Sequence, residues 1–308
     1  MSEISTALGS RFKAAYAVED SWAELGDSPT VYDLRVTSFG VNLSRDSFTS
    51  NEIRSDRQTA DQRQGMDDIS GDLGIELSYG AFDDLIASAM FNDWDSDDNI
   101  IIGTTQKSLR LQKAFTDIGE CHEFPGCVIS SWSVTVEPNA MVTGSFSVMG
   151  KTMKTTQTLD GAVTKASNAP FDSFSGYIRE ATSDPTSSDN IAVVTGVDFS
   201  VENNLTPLQV VGARQAQGLA EGRANVTGNL SAYFASSELL NRFLNETETM
   251  LEFQLVDESS NTLTFSFPRI KFTGSDISVD GEGPVTMSLP FTALVPSTSP
   301  MSVLMISR

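Results

Sequence analysis

The sequence has little of what catalysis, metal binding and nucleic-acid binding require. Its 308 residues include one His, two Cys and three Trp, and 20 Lys and Arg stand against 41 Asp and Glu, for a net charge of −21. One His leaves little room for His-based catalysis, and two Cys do not form a disulfide framework. So acidic a chain also lacks the cations that displace counterions from nucleic-acid phosphates. The composition therefore gives no positive reason to predict an enzyme or a protein that grips nucleic acid.

Long apolar runs are also missing from the chain. No stretch approaches the roughly 20 apolar residues of a membrane helix, and the N-terminal segment lacks the apolar core of a secretory signal. We therefore expect no membrane partner, and a protein that stays in the cytoplasm or in an assembly built there. The 39% hydrophobic content and 18 Phe predict an ordered core rather than disorder.

Two short motifs resemble metal sites, and both depart from the known patterns. Cys121, His122 and Cys127 supply three soft ligands, but a structural zinc site takes four, and the chain has no second Cys/His cluster. We interpret the two Cys as ordinary thiols in a turn. The alternating acids from Asp93 to Asp97 begin like a calcium loop, but its sixth position is not the required Gly. We therefore predict no catalytic, cofactor-binding or metal-binding residue, and no cofactor.

Two parts of the chain resemble each other. The offset between matching residues is 156 or 157 early in the chain and falls to 143 later. The first copy therefore carries about 14 extra residues near 78–108. The matching pairs are GVNLS at 40–44 with GVDFS at 196–200, ISGDL at 69–73 with VTGNL at 226–230, and Phe-Pro at 124–125 with 267–268.

These matches predict a tandem duplication of one domain. The first domain, with an N-terminal arm, takes up residues 1–150, and the second, with a C-terminal tail, takes up residues 188–308. Residues 151–187 are rich in Thr, Ser, Asp and Ala and are expected to form a linker or long loop. The alternative is two unrelated β-rich halves with similar alternation.

Each copy is predicted to be mostly strand, with one short helix. A helical stripe of apolar residues predicts helices over 82–90 and 239–244, the second capped by Ser236 or Ser237. Period-2 alternation predicts an antiparallel sheet with one buried face. In one strand it places five residues on the same face: Val128, Ser130, Trp132, Val134 and Val136.

A dense segment of mixed charge lies between two predicted strands. It contains Glu52, Arg54, Asp56, Arg57 and, farther on, Arg63. One interpretation is a solvated loop. The other is a docking arm, because alternating charges can set the register against a complementary surface.

The same segment carries a resemblance to a known family. Residues 50–58 (SNEIRSDRQ), 76–80 (ELSYG) and 83–86 (DDLI), with the opening from Arg11 to Trp22, resemble tail tube (major tail) proteins of long-tailed, siphovirus-like bacteriophages. The resemblance implies a mainly β fold with short helices, in which a β-barrel or sandwich with a flanking helix completes a large multi-subunit β-barrel. It also implies a structural virion protein whose stacked rings form the tail tube, a conduit for the tape-measure protein and for DNA ejection.

The resemblance further implies which residues and partners take part in assembly. In that family the long loop between early strands, here residues 46–66, reaches the neighbouring ring. The counterpart loop, residues 202–223, keeps an Arg-Gln pair and lacks the Glu-x-Arg part. Other implied partners are the tape-measure protein in the lumen and the tail terminator and tail-tip proteins, with DNA present only in transit. The implied inter-ring contacts are Glu52, Arg54, Asp56, Arg57, Arg63 and Arg214.

Two tube domains per chain predict a trimeric ring with pseudo-sixfold symmetry, because the family's rings commonly hold six such domains. The acidic balance predicts a lumen wall that is acidic or neutral, past which DNA slides without being trapped. The expected location is the virion tail, assembled in the host cytoplasm.

Two alternatives remain at this point. One is a ring-forming tube protein of a secretion or injection machine. The other is a carbohydrate-binding β protein, which should show clustered exposed aromatic residues, whereas Trp22, Trp94 and Trp132 lie far apart in the sequence.

Overall fold

The fold was obtained as a computed structural model, and it is mainly β with short helices, as the sequence predicts. The strands take part in one extended sheet and, separately, in a two-stranded ribbon. The structure describes residues 6–53, 55–56, 58–59, 61–156, 163–182, 191, 193–279, 281–297 and 302–308.

The helices and strands of the first half follow the short 3₁₀ turn Gly9–Arg11. They are β1 (Phe12–Val18), β2 (Val31–Asp33), β3 (Ser38–Phe39), β4 (Asn42–Thr49), β5 (Gln62–Glu76), α1 (Asp83–Met90), β6 (Asn99–Ile101), β7 (Leu109–Phe115), β8 (Glu120–Val136) and β9 (Thr143–Gly150).

The remaining elements begin inside the expected linker, where β10, β11 and β12 form. They are β10 (Lys154–Thr156), β11 (Val163–Thr164), β12 (Tyr177–Ala181), β13 (Val194–Glu202), β14 (Thr206–Pro207), β15 (Leu219–Ala220), β16 (Asn225–Tyr233), α2 (Glu238–Leu244), β17 (Thr249–Val256), β18 (Thr262–Phe272), β19 (Asp276–Ser278), β20 (Thr286–Ala293) and β21 (Met305–Ser307).

Both halves of the chain use one strand order. Hydrogen-bonded neighbours run β4–β5–β9–β8–β7–β1 in the first half. In the second half they run β13–β16–β20–β18–β17–β12. The ladders also keep matching registers, since Gly71 lies opposite Val148 and Gly228 lies opposite Phe291. The offsets of 157 and 143 found in the sequence therefore recur in the backbone pairing.

The two halves share a sheet because β8 is long enough to serve both. Its first part pairs with β7 and β10, and its last part pairs with β9 on one side and β13 on the other. Together with β19, which pairs with β20, this joins eight strands in one row: β4–β5–β9–β8–β13–β16–β20–β19.

One predicted strand face differs from the structure. The ladder between β8 and β9 shifts register between Ile129 and Ser131, which marks a β-bulge. Ile129 and Trp132 therefore face the main core, whereas Val128 packs in a separate small cluster. The prediction that Val128 shares a face with Trp132 is wrong because a bulge adds one residue to the alternation.

The buried core runs continuously through both halves. Trp132 stacks on Phe146 of the first half, with ring centroids 5.6 Å apart. The same indole meets Phe199 and Phe265 of the second half at 5.5 Å and 6.1 Å. Since aromatic side chains bury about 150–250 Å² each, these contacts make the joint between the halves part of the core.

Both helices form where the sequence predicts them. Six of the eight residues of α1 are buried, and none of the residues of α2 is. At the start of α2 the Ser236 hydroxyl accepts a hydrogen bond from the backbone N–H of Glu238 at 3.4 Å, while Ser237 occupies the cap position without a side-chain bond.

Candidate functional site

One face of the eight-strand row is polar and acidic. Cross-strand rows on it run Asp72–Ser147–Ser131–Glu202–Asn225 and Glu76–Thr143–Thr135–Asp198–Asn229. Neither row contains a Lys or an Arg. Hydroxyls tie neighbouring strands together, and the Ser147 hydroxyl donates to the Asp72 carboxylate at 2.6 Å.

Partial burial affects one carboxylate in the middle of this face. It raises the pKa of Asp198 above its ordinary value, and a hydrogen bond with the Asn229 side chain partly opposes the shift. At the margin of the face, Lys271 lies opposite Thr292. Its ammonium is 3.7 Å and 4.0 Å from the carboxylates of Glu248 and Glu246. These rows therefore contain no series of unpaired cations to which a polyanion would bind.

The ladder between β8 and β13 is the centre of the joint between the halves. It pairs six residues, from Val136 opposite Val197 to Ser131 opposite Glu202. The core-facing side chains on β8 are covered, since Val134 is 1% exposed and Val136 is 8% exposed.

The joint is locked at its end by one buried amide. The side-chain amide of Asn203 donates to the backbone carbonyls of Ala89 in α1, at 2.9 Å, and Ile129 in β8, at 3.0 Å. Because both acceptors belong to the first half, Asn203 fixes the end of β13 against that half.

The C-terminal strand bridges the halves a second time. β21 pairs with β18 of the second half and with β6 of the first. The guanidinium of Arg308 then pairs with Asp83 and Asp98 and lies over the Trp94 ring, 4.6 Å from its centroid. β6 belongs to the 18 residues between α1 and β7, whereas four residues separate α2 from β17. The extra segment of the first half therefore receives the C-terminal strand.

The first long loop is shorter than the predicted residues 46–66, because β4 runs to Thr49 and β5 begins at Gln62. Most of the predicted contact residues lie between these two strands, whereas Arg63 lies in β5. Glu52, Asp56 and Arg63 are exposed, and Arg63 forms an ion pair with Asp61 at 3.4 Å. Arg54 and Arg57 lie outside the described residues. The described members are thus solvent-exposed and accessible to a second molecule.

The second long loop, predicted as residues 202–223, begins after Glu202 at the end of β13 and contains the ribbon of β14 and β15. It folds back onto the first half. The backbone carbonyl of Arg214 accepts a hydrogen bond from the Asp67 N–H at 2.8 Å, and the Arg214 residue is exposed. The Gln215 amide donates to the Thr152 hydroxyl at 3.0 Å. The part of this loop just after Val211 is therefore engaged within the chain, and Arg214 lies on a different loop from the other candidates.

Sequence reasoning missed the apolar residues at the tips of both long loops. Ile53 and Val211 are fully exposed, and Phe48, in the last part of β4, is 65% exposed. The dense charges beside Ile53 favour a polar loop and obscure this single apolar residue in the sequence. An apolar residue beside Gly, as at Val211-Gly212, was the available signal for an exposed apolar tip.

The residues considered for metal binding lie in β8 rather than in a turn. Cys121 and Cys127 are buried, and burial raises the pKa of the Cys127 thiol far above its ordinary value. The His122 ring packs edge-on against Phe115 at 5.7 Å. Over the described ranges, no group of three or more His, Cys, Asp or Glu residues is arranged to hold a metal ion.

The three Trp residues form no binding platform. Trp132 is fully buried, and the indoles of Trp22 and Trp94 donate to the backbone carbonyls of Gly126 and Asp83 at 3.1 Å each. A clustered aromatic surface of the kind that binds sugars is therefore not built from them. In the described part of the chain no helix has the length and apolar character needed to cross a membrane.

Comparison with known proteins identifies the family. Residues 9–293 match the family model described as phage tail tube protein. A search of curated proteins found no match. Since the family match covers most of the 308 residues, the chain belongs to the phage tail tube protein family and is a structural component of a virion tail.

Proposed function

We propose that this tail tube protein builds the tail of a long-tailed, siphovirus-like phage as stacked trimeric rings, which guide the tape-measure protein and then DNA. The eight-strand row carries the proposal, because each half supplies four strands in the same order. Three chains supply 24 strands. At ~4.8 Å spacing and ~40° tilt their barrel is roughly 48 Å across the backbone, room enough for duplex DNA about 20 Å wide.

The two halves act as tandem tube domains in this proposal. The first lies within residues 1–150, and the second takes up residues 188–308 together with β12. β12 lies in the expected linker, residues 151–187, but it pairs with β17 as β1 pairs with β7. Each domain then has the same six strands and one helix, and three chains give pseudo-sixfold symmetry.

The acidic polar face is the proposed lumen wall. Its opposite side carries the apolar core, so only the polar side is available to face a channel. Carboxylates such as Asp72 and Glu202 repel phosphates, and repulsion lets DNA pass without being held at each step. The same wall is compatible with the tape-measure protein, which occupies the lumen before DNA does.

The long loops are the proposed contacts between rings. β4 and β13 both run toward the same end of the sheet, so the loops that follow them project from one end of the ring. In this arrangement Glu52, Arg54, Asp56, Arg57 and Arg63 reach the next ring from the first loop. The exposed Arg214 reaches it from the second.

The ends of the tube meet the tail terminator and tail-tip proteins, and assembly takes place in the host cytoplasm. DNA is carried only in transit, without specific binding, and neither an enzymatic role nor a cofactor is part of the proposal.

Electron microscopy and native mass measurement of the purified full chain test the proposal. We expect hollow tubes or stacked rings, with three chains in each ring. Rings of six chains, each with one half facing outward, would overturn the trimer. A protein that stays monomeric under every assembly condition, including seeding with tail tips, would overturn the tube.

A further inference from the structure

We infer that the joint between neighbouring chains repeats the joint inside the chain, with β4 of one chain pairing antiparallel with β19 of the next and Asn42 lying opposite Asp276. The inference rests on the proposed ring and adds the surface and register that close it. In the described chain β4 pairs only with β5, and β19 pairs only with β20. Each therefore has an edge that another strand can extend.

The first step finds the counterpart of the β8 edge. Ser133 lies opposite Ser145 in the first half, and Asp276 lies opposite Ser288 in the second. Ser133 and Asp276 differ by 143, the offset seen in the sequence, and so do Ser145 and Ser288. β19, which continues the line of β18 beyond a break, therefore occupies the place of the last part of β8, the part that pairs with β13.

The second step finds the counterpart of the β13 edge. Asn42 lies opposite Ser70, and Ser200 lies opposite Thr227. Since Ser70 and Thr227 differ by the offset of 157, Asn42 is the counterpart of Ser200. The sequence match of 40–44 with 196–200 instead aligns Asn42 with Asp198. The alignment of β4 with β13 by backbone pairing thus differs by two residues from their alignment by sequence. A shift of two residues leaves each side chain on the same face of the strand.

The third step transfers the internal pairing. Inside the chain Ser200 lies opposite Ser133. The counterparts are Asn42 and Asp276, and the same register sets Val41 opposite Ile277 and Phe39 opposite Val279 in the next chain.

The apolar side chains at the β19 edge are more exposed than their counterparts on β8. Val134 and Val136, which β13 covers in the internal joint, are 1% and 8% exposed. Their counterparts Ile277 and Val279 are 37% and 68% exposed. Apolar side chains on an unpaired strand favour pairing with another strand. A second copy of the chain supplies one, because half-buried Phe39, the last residue of β3, is followed within three residues by the start of β4.

Charge across the proposed joint is also complementary. The Lys113 ammonium donates to the Asn42 side-chain carbonyl at 3.3 Å. A neighbouring chain that sets Asp276 opposite Asn42 brings a carboxylate close to this cation. The pair lies at the chain boundary, so its contribution should fall as salt screens it.

Engineered cysteine pairs test the register directly. Asn42→Cys with Asp276→Cys should give disulfide-linked trimers on non-reducing gels after oxidation of assembled tubes. The shifted pair Asn42→Cys with Ser278→Cys follows the sequence alignment and should give at least tenfold less disulfide-linked trimer. Ser133→Cys with Ser200→Cys is the matched control, because it holds the same register inside one chain and should link without changing the chain's mass on the gel. The native Cys121 and Cys127 are buried and serve as background.

The outcomes separate this inference from the proposed function. Tubes in which the shifted pair links best would overturn the register. Tubes in which neither pair links, while the control does, would overturn the β4–β19 joint. Linked hexamers would keep the joint and overturn the trimer, and failure to form any tube would overturn both.

A second variant avoids dependence on disulfide geometry. Ile277→Asp should leave the monomer folded by circular dichroism and abolish ring formation. Normal rings from this variant would contradict the inference.

Discussion

The two halves share a strand order and differ in how their joints are closed. The joint inside the chain has the β8–β13 ladder, the Trp132 contacts, the folded-back loop 202–223 and the C-terminal strand. At the position of Trp132 in the second half stands Ser275. The proposed joint between chains therefore keeps the ladder and lacks the large aromatic residue and the extra strand. If the proposed ring forms, we expect these unequal joints to let the chain fold as one unit before it associates.

The helices show the same difference. α1 is covered by the segment that carries β6, and β21 pairs with that segment. α2 is joined to β17 by four residues and has Leu244 64% exposed. The helix at the corresponding position is thus mostly buried in one half, whereas in the other it packs against the core only through the partly buried Leu239, Leu240 and Phe243.

The largest expected effect comes from placing one charge at counterpart positions. Val134→Asp should lower the free energy of unfolding by several kcal/mol, because it buries an unpaired carboxylate. Ile277→Asp, at the exposed counterpart, should change it by less than about 0.5 kcal/mol. Urea denaturation of both monomers measures the contrast, and equal losses would show that the two edges are not in different environments.

The aromatic joint gives the next largest effect. Trp132→Ala should cost about 3–5 kcal/mol of unfolding free energy, because the cavity opens between both halves. Ser275→Ala is the matched control and should stay within about 0.5 kcal/mol. A loss for Trp132→Ala below about 1 kcal/mol would mean that the indole does not hold the halves together.

The C-terminal clasp should contribute less. Arg308→Ala removes the contacts to Asp83 and Asp98 and the stacking on Trp94, and should cost about 1–2 kcal/mol. Hydrogen exchange should then speed up in β6 and β21 and stay unchanged in β16. Unchanged exchange in β6 would indicate that backbone pairing alone holds the strand.

The loop charges should affect assembly rather than folding. Reversing Arg54 and Arg57 together should leave the monomer's unfolding unchanged and slow tube growth, since each exposed pair is worth only ~0.2–1 kcal/mol but recurs around the ring. Reversal of Lys154 and Lys165, two exposed residues outside the long loops, makes the same charge change and serves as the control. Tubes of normal length from the Arg variant, counted by microscopy, would contradict the inter-ring role.

The smallest effect concerns pH. Burial raises the native pKa of Asp198, so the folded state binds its proton more tightly than the unfolded chain does. The ionised carboxylate then disfavours folding above the native pKa, and this penalty disappears as pH falls through it. Asp198→Asn should therefore be slightly more stable than the wild type at pH 7, with a free energy of unfolding higher by less than about 1 kcal/mol after solvent screening. At low pH the two proteins should be equally stable. A stability difference between the two proteins that grows as the pH falls would contradict a raised pKa for Asp198.

Local sequence patterns predicted the two helices and the internal repeat, but not the strands β10, β11 and β12 in the expected linker. The apolar stripes located α1 and α2, and the matches around Gly71 and Gly228 gave the offset that the β5–β9 and β16–β20 ladders keep. Such signals depend on neighbouring residues, so they survive without knowledge of the fold.

Long-range pairing could not be predicted in this way. Nothing in the alternation of β8 shows the bulge after Ile129 or tells that Val134 pairs with Phe199. The match of GVNLS with GVDFS misaligned β4 and β13 by two residues because a two-residue slip preserves side-chain alternation. The predicted contact residues Glu52, Asp56, Arg63 and Arg214 remain predictions, since a single chain does not display the surface they are expected to touch.

The double pairing of β8 has a mechanical consequence for the proposed tube. Pressure inside a tube loads its wall around the circumference, and that tension crosses every strand-to-strand boundary. In a ring of three chains, the boundary between β8 and β13 is also spanned by the polypeptide and by β21. Only three of the six boundaries between domains then rely on non-covalent pairing alone. Bursting should accordingly begin along three lines, where one chain ends and the next begins.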